Sequence, residues 1–343
     1  MDKFRDKSVL ITGSCGTIGY ELVRQLIEYN VRRIICLDNN ETELFFQNEE
    51  FKDSNIVTCH LADVRDFDEL NLRFNEVDIV LHTAALKHVG LCEDSPTQAV
   101  KTNIEGTQNV IDAALANSVS RVIFTSSDKA VNPTNVMGTS KLMGERLMTA
   151  ANNTQSSSSI SIDGKSPTIF ASTRFGNVLG SRGSVIPLFE KQINSGGPIT
   201  LTSSEMTRFV MSLEEACRLV LESVWLAQGG EVFVTKMPIA QIKDIANIMR
   251  KRLGPLVSEK LPDVVKIGTK PGEKLYEELM NDEEVRRTWD LGAFFVVISA
   301  FTDPSDYQYL LGCKRVDRPY HSGNEKSLTE AECEKYLADR GFV

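Results

Sequence analysis

Histidine is scarce, with four in 343 residues. His60, His82, His88 and His321 have no metal-ligand spacing, so no metal site is expected. The seven cysteines (Cys15, Cys36, Cys59, Cys92, Cys217, Cys313, Cys333) are odd in number, dispersed, and form no Cys-x-x-Cys. That pattern argues against a disulfide framework and fits small apolar residues in a reducing cytoplasm. No apolar stretch approaches the ~20 residues of a membrane helix. The amino terminus runs straight into a strand without a signal-peptide core, so a cytoplasmic protein with no membrane segment is expected. Positive charge is also short: 38 Lys and Arg against 47 Asp and Glu leave a net charge of −9. Nucleic acid is therefore not the expected partner. Tyrosine is missing from the whole middle of the chain, from Tyr29 to Tyr276, and no tyrosine is followed four residues later by lysine.

What is present is a regular alternation. Short β-branched runs (Val9–Ile11, Arg33–Leu37, Ile56–Thr58, Ile79–Leu81, Val122–Phe124, Thr168–Phe170) are separated by segments with helical spacing such as Tyr20–Ile27. This predicts βαβ units and an α/β fold with a doubly wound parallel sheet. Residues 1–178 are expected to form a dinucleotide-binding domain. Residues 179–343 are expected to form mainly a smaller C-terminal substrate lobe, with some segments returning to the main sheet. The polar stretch 152–166 reads as a surface loop.

Between the first strand and first helix lies Thr12-Gly13-Ser14-Cys15-Gly16-Thr17-Ile18-Gly19. Its glycines can make a tight turn, admit a pyrophosphate and let the helix pack close. Asp38, nineteen residues after Gly19, can accept from both ribose hydroxyls and would repel a 2′-phosphate; no Arg or Lys lies in 38–43. NAD is therefore expected rather than NADP. Asp63, Val64 and Ala84 are further candidates for the cofactor's surroundings, beside Gly13, Gly16, Thr17, Ile18 and Gly19.

The ordered set Gly13-x-x-Gly16-x-x-Gly19, His82–Val89, Asn103–Thr107, Ser127–Pro133, Arg174–Ser184 and Pro271–Lys274 resembles the extended short-chain dehydrogenases of polysaccharide biosynthesis, over roughly residues 5 to 285. Within them it is most similar to the UDP-N-acetylglucosamine 4,6-dehydratases. The resemblance implies a Rossmann fold and a homo-oligomer. It also implies a cycle on UDP-N-acetylglucosamine in which hydride leaves C4, water is lost across C5 and C6, and hydride returns to C6. Asp128 is then the acid at C6 and Lys129 the base at C5, with burial expected to favour the protonated carboxyl and the neutral amine. Lys141 is implied at the nicotinamide ribose. Its usual partner, a tyrosine four residues earlier, is replaced by Met137, which has no proton to exchange and is expected to pack against sugar or nicotinamide. The C4 proton must leave through Ser127, a water, or Asp128.

Lys87, Asn177, Arg182, Arg208 and Lys274 are candidates for holding the nucleotide sugar, with a structural ion-pair role the alternative expectation for Arg174. Two departures from the family pattern stand out: Ser127 where threonine is general, and Lys270 where arginine is common. The glutamates of Glu273–Glu278 read as a solvated helix face. Met at position 137 resembles the C5-retaining members, so retention is the expected outcome. The competing readings are a C5-inverting 4,6-dehydratase, then a nucleotide-sugar 4-epimerase, then a catalytically silent NAD-binding protein.

Overall fold

The computed structural model describes residues 2–157, 166–257, 260–268 and 272–343. Six strands, β1 (Ser8–Thr12), β2 (Arg33–Asp38), β3 (Val57–Leu61), β4 (Ile79–His82), β5 (Arg121–Ser127) and β6 (Ile169–Phe175), pair in parallel in the order 3-2-1-4-5-6. Successive side chains explain the layering. Val9 and Ile11 enter the core on one face of β1 while Leu10 enters the core on the other. Ile34 and Cys36 against Ile35 and Leu37 repeat the division on β2, as the period of two requires. A sheet covered on both sides needs apolar residues at every position, which is why these strands read as continuous runs. Helices Thr17–Ile27 and Leu213–Leu226 cover the first face; Phe67–Arg73 and Gly106–Ala116 cover the second.

The remaining strands are β7 (Asn177–Val178), β8 (Ile199–Leu201), β9 (Thr207–Met211), β10 (Val232–Thr235), β11 (Ile239–Gln241), β12 (Val264–Lys266), β13 (Glu278–Met280), β14 (Thr288–Asp290), β15 (Phe294–Val297), β16 (Lys314–Arg315) and β17 (Tyr320–His321). Strand β10 adds to β6 in parallel, and β15, β14 and β16 continue antiparallel, giving ten strands in one sheet. A third core lies among helices Val185–Asn194, Ile242–Val257 and Glu330–Ala338. The short sheet β11-β9-β7 runs beside it and carries Arg208 and Asn177.

The loop expected at 152–166 is corrected at its start. Helix Val136–Ser157 runs through these polar residues. Near its end, the Gln155 side chain accepts from the Thr168 backbone N–H at 3.0 Å and donates to the Thr168 carbonyl at 3.1 Å. The side-chain amide thus stands in for a neighbouring strand just before β6. Residues 158–165 and Lys270 lie outside the described residues.

Candidate active site

The dinucleotide cradle follows from two close backbone approaches. Gly13 has φ +70°, and a Cβ there would fall 2.6 Å from the Ala84 backbone; one on Gly19 would fall 2.3 Å from the Gly13 carbonyl oxygen. No larger residue lets the first helix and β4 come this near the loop. The adjoining cavity, about 370 Å³, is lined by Gly13, Gly16, Asp38, Val64, Ala84 and Arg65 among others. Asp38 accepts from the Cys15 N–H at 3.0 Å and the Asn40 N–H at 2.9 Å. Asn40, not Asp38, caps the following helix. Asp63 is held by Arg65 and Asn39, which line the cavity, and the Arg65 hydrogen bonds pull its carboxyl down to about 2. Thr17 accepts from the Arg182 N–H at 3.3 Å, and Ile18 packs into the core. A cradle without side chains, a carboxylate at the end of β2 and a cavity between them suit a dinucleotide such as NAD.

The chemistry-bearing groups stand at the carboxyl end of β5. Ser127 ends that strand, and its Oγ donates to Asp128 Oδ1 at 2.6 Å and accepts from the Lys129 N–H at 3.3 Å, closing a tight turn over Asp128–Ala130. Helix Val136–Ser157 lies hard against this turn because Gly138 has no side chain: a Cβ there would be 2.2 Å from the Lys129 carbonyl oxygen. Asp128 is 1% exposed. Lys129 Nζ donates to its Oδ1 at 3.0 Å and approaches Glu277 Oε1 at 3.4 Å. Asp128 Oδ2 and Glu277 Oε2 are buried and have no hydrogen-bond partner among the described residues.

The sequence-based expectation for Lys129 is corrected here. Burial pulls its pKa down, but the carboxylates of Asp128 and Glu277 outweigh that, and the net shift is upward. The side chain rests as an ammonium. The expected solvated helix at 273–278 is corrected as well. The segment is not helical, and Glu277 is 3% exposed. Its carboxylate faces Lys129 and, at 3.6 Å, Arg208 Nε. Burial holds this carboxyl above the usual range, with Lys129 opposing. Sequence reasoning missed Glu277 because nothing in a run of charged residues separates it from its neighbour Glu278, which pairs with Lys274 at 2.8 Å.

Lys141 is buried one turn beyond Met137. Its Nζ donates to the Thr125 carbonyl at 2.9 Å and lies 4.7 Å over the Phe124 ring. Burial pushes its pKa down to about 8, against the pull of Glu145. Met137, 3% exposed, packs with Cys92 and Ala99 in an apolar recess. His82 is a core residue: its ring bonds Thr12 Oγ1 at 2.7 Å and Thr107 Oγ1 at 3.1 Å, and burial lowers its pKa to about 3.

Candidates for the nucleotide sugar fall in two groups. Arg208 and Lys274 join the Asp128–Lys129 cluster. Arg208 donates to the carbonyls of Thr207, Leu275 and Lys274, and Lys274 to the carbonyl of Val131 at 3.0 Å. Lys87 and Arg182 stand instead beside the glycine loop. Lys87 Nζ donates to the Arg182 carbonyl at 2.8 Å, and the exposed Arg182 guanidinium pairs with Glu43 at 2.7 Å. Asn177, on β7, has a buried Oδ1 without a partner among the described residues. Arg174 is not at the site surface at all: it is fully buried and held by Glu145 and Glu284.

The model of a polysaccharide biosynthesis protein family matches residues 9–299. The chain belongs to this family. Relatives include an uncharacterized membrane protein of Methanocaldococcus jannaschii, 44% identical with 99% of this chain and 98% of that protein covered. A UDP-N-acetylglucosamine 4,6-dehydratase (inverting) of Campylobacter jejuni is 38% identical over 86% and 83%. A UDP-glucose 4-epimerase of Rickettsia typhi is 35% identical over 99% and 98%. Among solved structures, Pen from Bacillus thuringiensis superposes with a TM-score of 0.90 at 38% identity, covering 99% of both chains. For this family member, no helix among the described residues is long and apolar enough to cross a membrane.

Proposed function

We propose that this chain is an NAD-dependent 4,6-dehydratase of UDP-N-acetylglucosamine that retains configuration at C5. The observation that carries the reading is the Ser127–Asp128–Lys129 turn. It presents a buried carboxylate and an amine at the carboxyl end of β5, while the position one turn before Lys141 holds a methionine packed away in apolar surroundings. An epimerase that only removes and restores hydride at C4 has no work for this acid and base. Eliminating water across C5 and C6 requires both. The C. jejuni relative, named as an inverting 4,6-dehydratase of this substrate, supports the choice of dehydratase over epimerase, while retention rests on Met137.

NAD, when bound, supplies a reversible hydride acceptor. The protein's own groups handle the protons. Ser127 Oγ, already donating to Asp128 at 2.6 Å, passes the C4 hydroxyl proton to that carboxylate. Asp128 then delivers it to the C6 hydroxyl, which leaves as water. Lys129, as the single base beside the sugar, takes the C5 proton and returns it to the same face, which is retention. Lys141 supplies positive potential near the ribose. Lys87, Asn177 and Arg182 hold the nucleotide, and Arg208 and Lys274 line the sugar end.

The epimerase reading draws on the R. typhi relative. The two are separated by incubating the protein with UDP-N-acetylglucosamine in deuterated water and analysing the sugar by NMR and mass spectrometry. A 4-keto, 6-methyl product short of one water, deuterated at C5 with unchanged configuration, is expected. Unchanged mass with inverted C4 establishes the epimerase. No turnover sinks both.

A further inference from the structure

We propose that Glu277 is a further functional residue of this site, the carboxylate that takes the proton from Lys129 and so converts its resting ammonium into the base that attacks C5. The inference rests on the dehydratase reading and deepens it. Two proton tasks arise during elimination. The acid at C6 must hold a proton at the moment the base at C5 must lack one. Asp128 is occupied with the first task, because it carries the proton collected from C4. Lys129 rests charged and cannot accept anything until it has lost a proton to a second group.

Glu277 is placed for that transfer. Its Oε1 is 3.4 Å from Lys129 Nζ, whose other carboxylate neighbour, Asp128 Oδ1, is at 3.0 Å. One of the ammonium's three donors is hydrogen-bonded to Asp128, and the ion pair with Glu277 still leaves a donor for the sugar. Arg208 Nε, 3.6 Å from the same oxygen, fixes the carboxylate. The backbone is clamped too: the Glu277 N–H donates to Ser322 Oγ at 2.9 Å, and the Ser322 N–H donates to the Glu277 carbonyl at 2.8 Å. Glu277 Oε2 is buried with no partner among the described residues, so the carboxyl has an open place for an added proton. The charged groups that face this pair are Asp128 and Arg208; Lys274 is committed to Glu278 and the Val131 carbonyl. Burial already favours the neutral form of Glu277, and a substrate covering the site removes more water.

The step balances. An N–H bond of Lys129 breaks and its proton passes to Glu277, leaving amine and carboxylic acid. The amine takes the C5 proton, and the C5–H electrons form the C5–C6 double bond. The C6–O bond breaks and the oxygen leaves as water with the proton of Asp128. When the proton returns to C5 and Glu277 gives its own back to the lysine, the cluster is restored.

An internal transfer does not depend on the pH of the solution. In the wild-type protein the rate of C5 deuterium incorporation is therefore expected to be flat from about pH 6 to about pH 8, above which loss of the Lys141 charge slows the hydride step that precedes it. In Glu277→Gln, Lys129 must lose its proton to solvent. The rate should fall roughly a hundredfold at pH 7 and recover about tenfold for each pH unit upward, as for an amine titrating above neutrality. A merely structural role lowers the rate without creating that slope, so a variant with the wild-type profile shape overturns the proposal. A second readout needs no turnover. Labelling of Lys129 by 1-fluoro-2,4-dinitrobenzene, followed by peptide mass spectrometry, should show its midpoint pH lower by about one unit in Glu277→Gln, because one anion has been removed. Coincident midpoints defeat the proposal even if the wild-type protein turns over no sugar, an outcome that would by itself defeat only the dehydratase reading.

Discussion

Replacing Arg174 with methionine gives the sharpest structural test. The guanidinium is 0% exposed and makes five hydrogen bonds: two to Glu145, at 3.0 and 2.6 Å, two to Glu284, both at 3.0 Å, and one to the Leu279 carbonyl at 2.9 Å. Glu145 lies one turn beyond Lys141 on helix Val136–Ser157, and Glu284 follows β13 and the Glu277 segment. The arginine therefore ties the two halves of the site together from behind. Methionine fits the space but leaves two carboxylates in the core without a cation. Removing one partner of a buried pair costs about 3–5 kcal/mol. At about 2 °C per kcal/mol for a chain of this size, melting near pH 7 should fall by roughly 6–10 °C in scanning calorimetry.

The pH dependence gives the sign. In the wild type, burial raises the Glu284 pKa, but Arg174 and hydrogen bonds bring it below the ordinary value. Its contribution is therefore present above the unfolded value of about 4.3 and is lost as pH falls through the folded one. In Arg174→Met the burial contribution is opposed only by the Asn281 N–H and the more distant Arg287, and the folded pKa rises. Acidification from pH 7 towards pH 5 should then stabilise the variant while the wild type gains nothing. A loss under 2 °C, or parallel pH curves, would refute the ion-network account.

Other expectations follow from the site. Asp128→Asn and Lys129→Met should each lower turnover of UDP-N-acetylglucosamine by about 10²–10⁴-fold; wild-type rates in either would defeat the role assignment. Lys141, with its pKa pushed down to about 8 by burial, loses its charge as pH rises through that value. The hydride steps, followed by nicotinamide absorbance, should therefore decline above about pH 8, and Lys141→Met should be slow at every pH. Because the folded chain binds fewer protons than the unfolded one between about 8 and 10.4, this lysine should add stability as pH rises across that window. Gly138→Ala forces a methyl to within 2.2 Å of the Lys129 carbonyl oxygen. It should cost about 1–3 kcal/mol and lower kcat more than it alters KM, with an unaltered kcat counting against the close-packed turn.

The sheet was legible because its inner strands are buried on both faces, so that Val9-Leu10-Ile11 and Ile34–Leu37 read as unbroken apolar runs between glycines and helical spacing. The Ser127–Lys129 turn was legible from its place at the end of such a run. Glu277 was not. It lies far along the chain from Lys129, on a non-helical stretch, and its burial depends on Ser322 and Arg208 arriving from two further segments. The resting charge of Lys129 was hidden for the same reason, since a second carboxylate that folding brings in reverses the effect of burial. The helix through 152–157 was misread because polar composition predicts exposure well and helix termination poorly; a Gln155 side chain bonded to Thr168 has no signature in a local window.

The pairing of β10 with β6 has a consequence for handling the protein. Ser172, Thr173 and Arg174 of β6 find their outer neighbours in Val232, Phe233 and Val234. A fragment ending after residue 178 would expose the long edge of a buried apolar strand. Such an edge recruits other chains, so the amino-terminal half expressed alone should aggregate rather than survive as a small cofactor-binding module. Designs that exchange the second half between relatives should carry β10, β14, β15 and β16 as one unit.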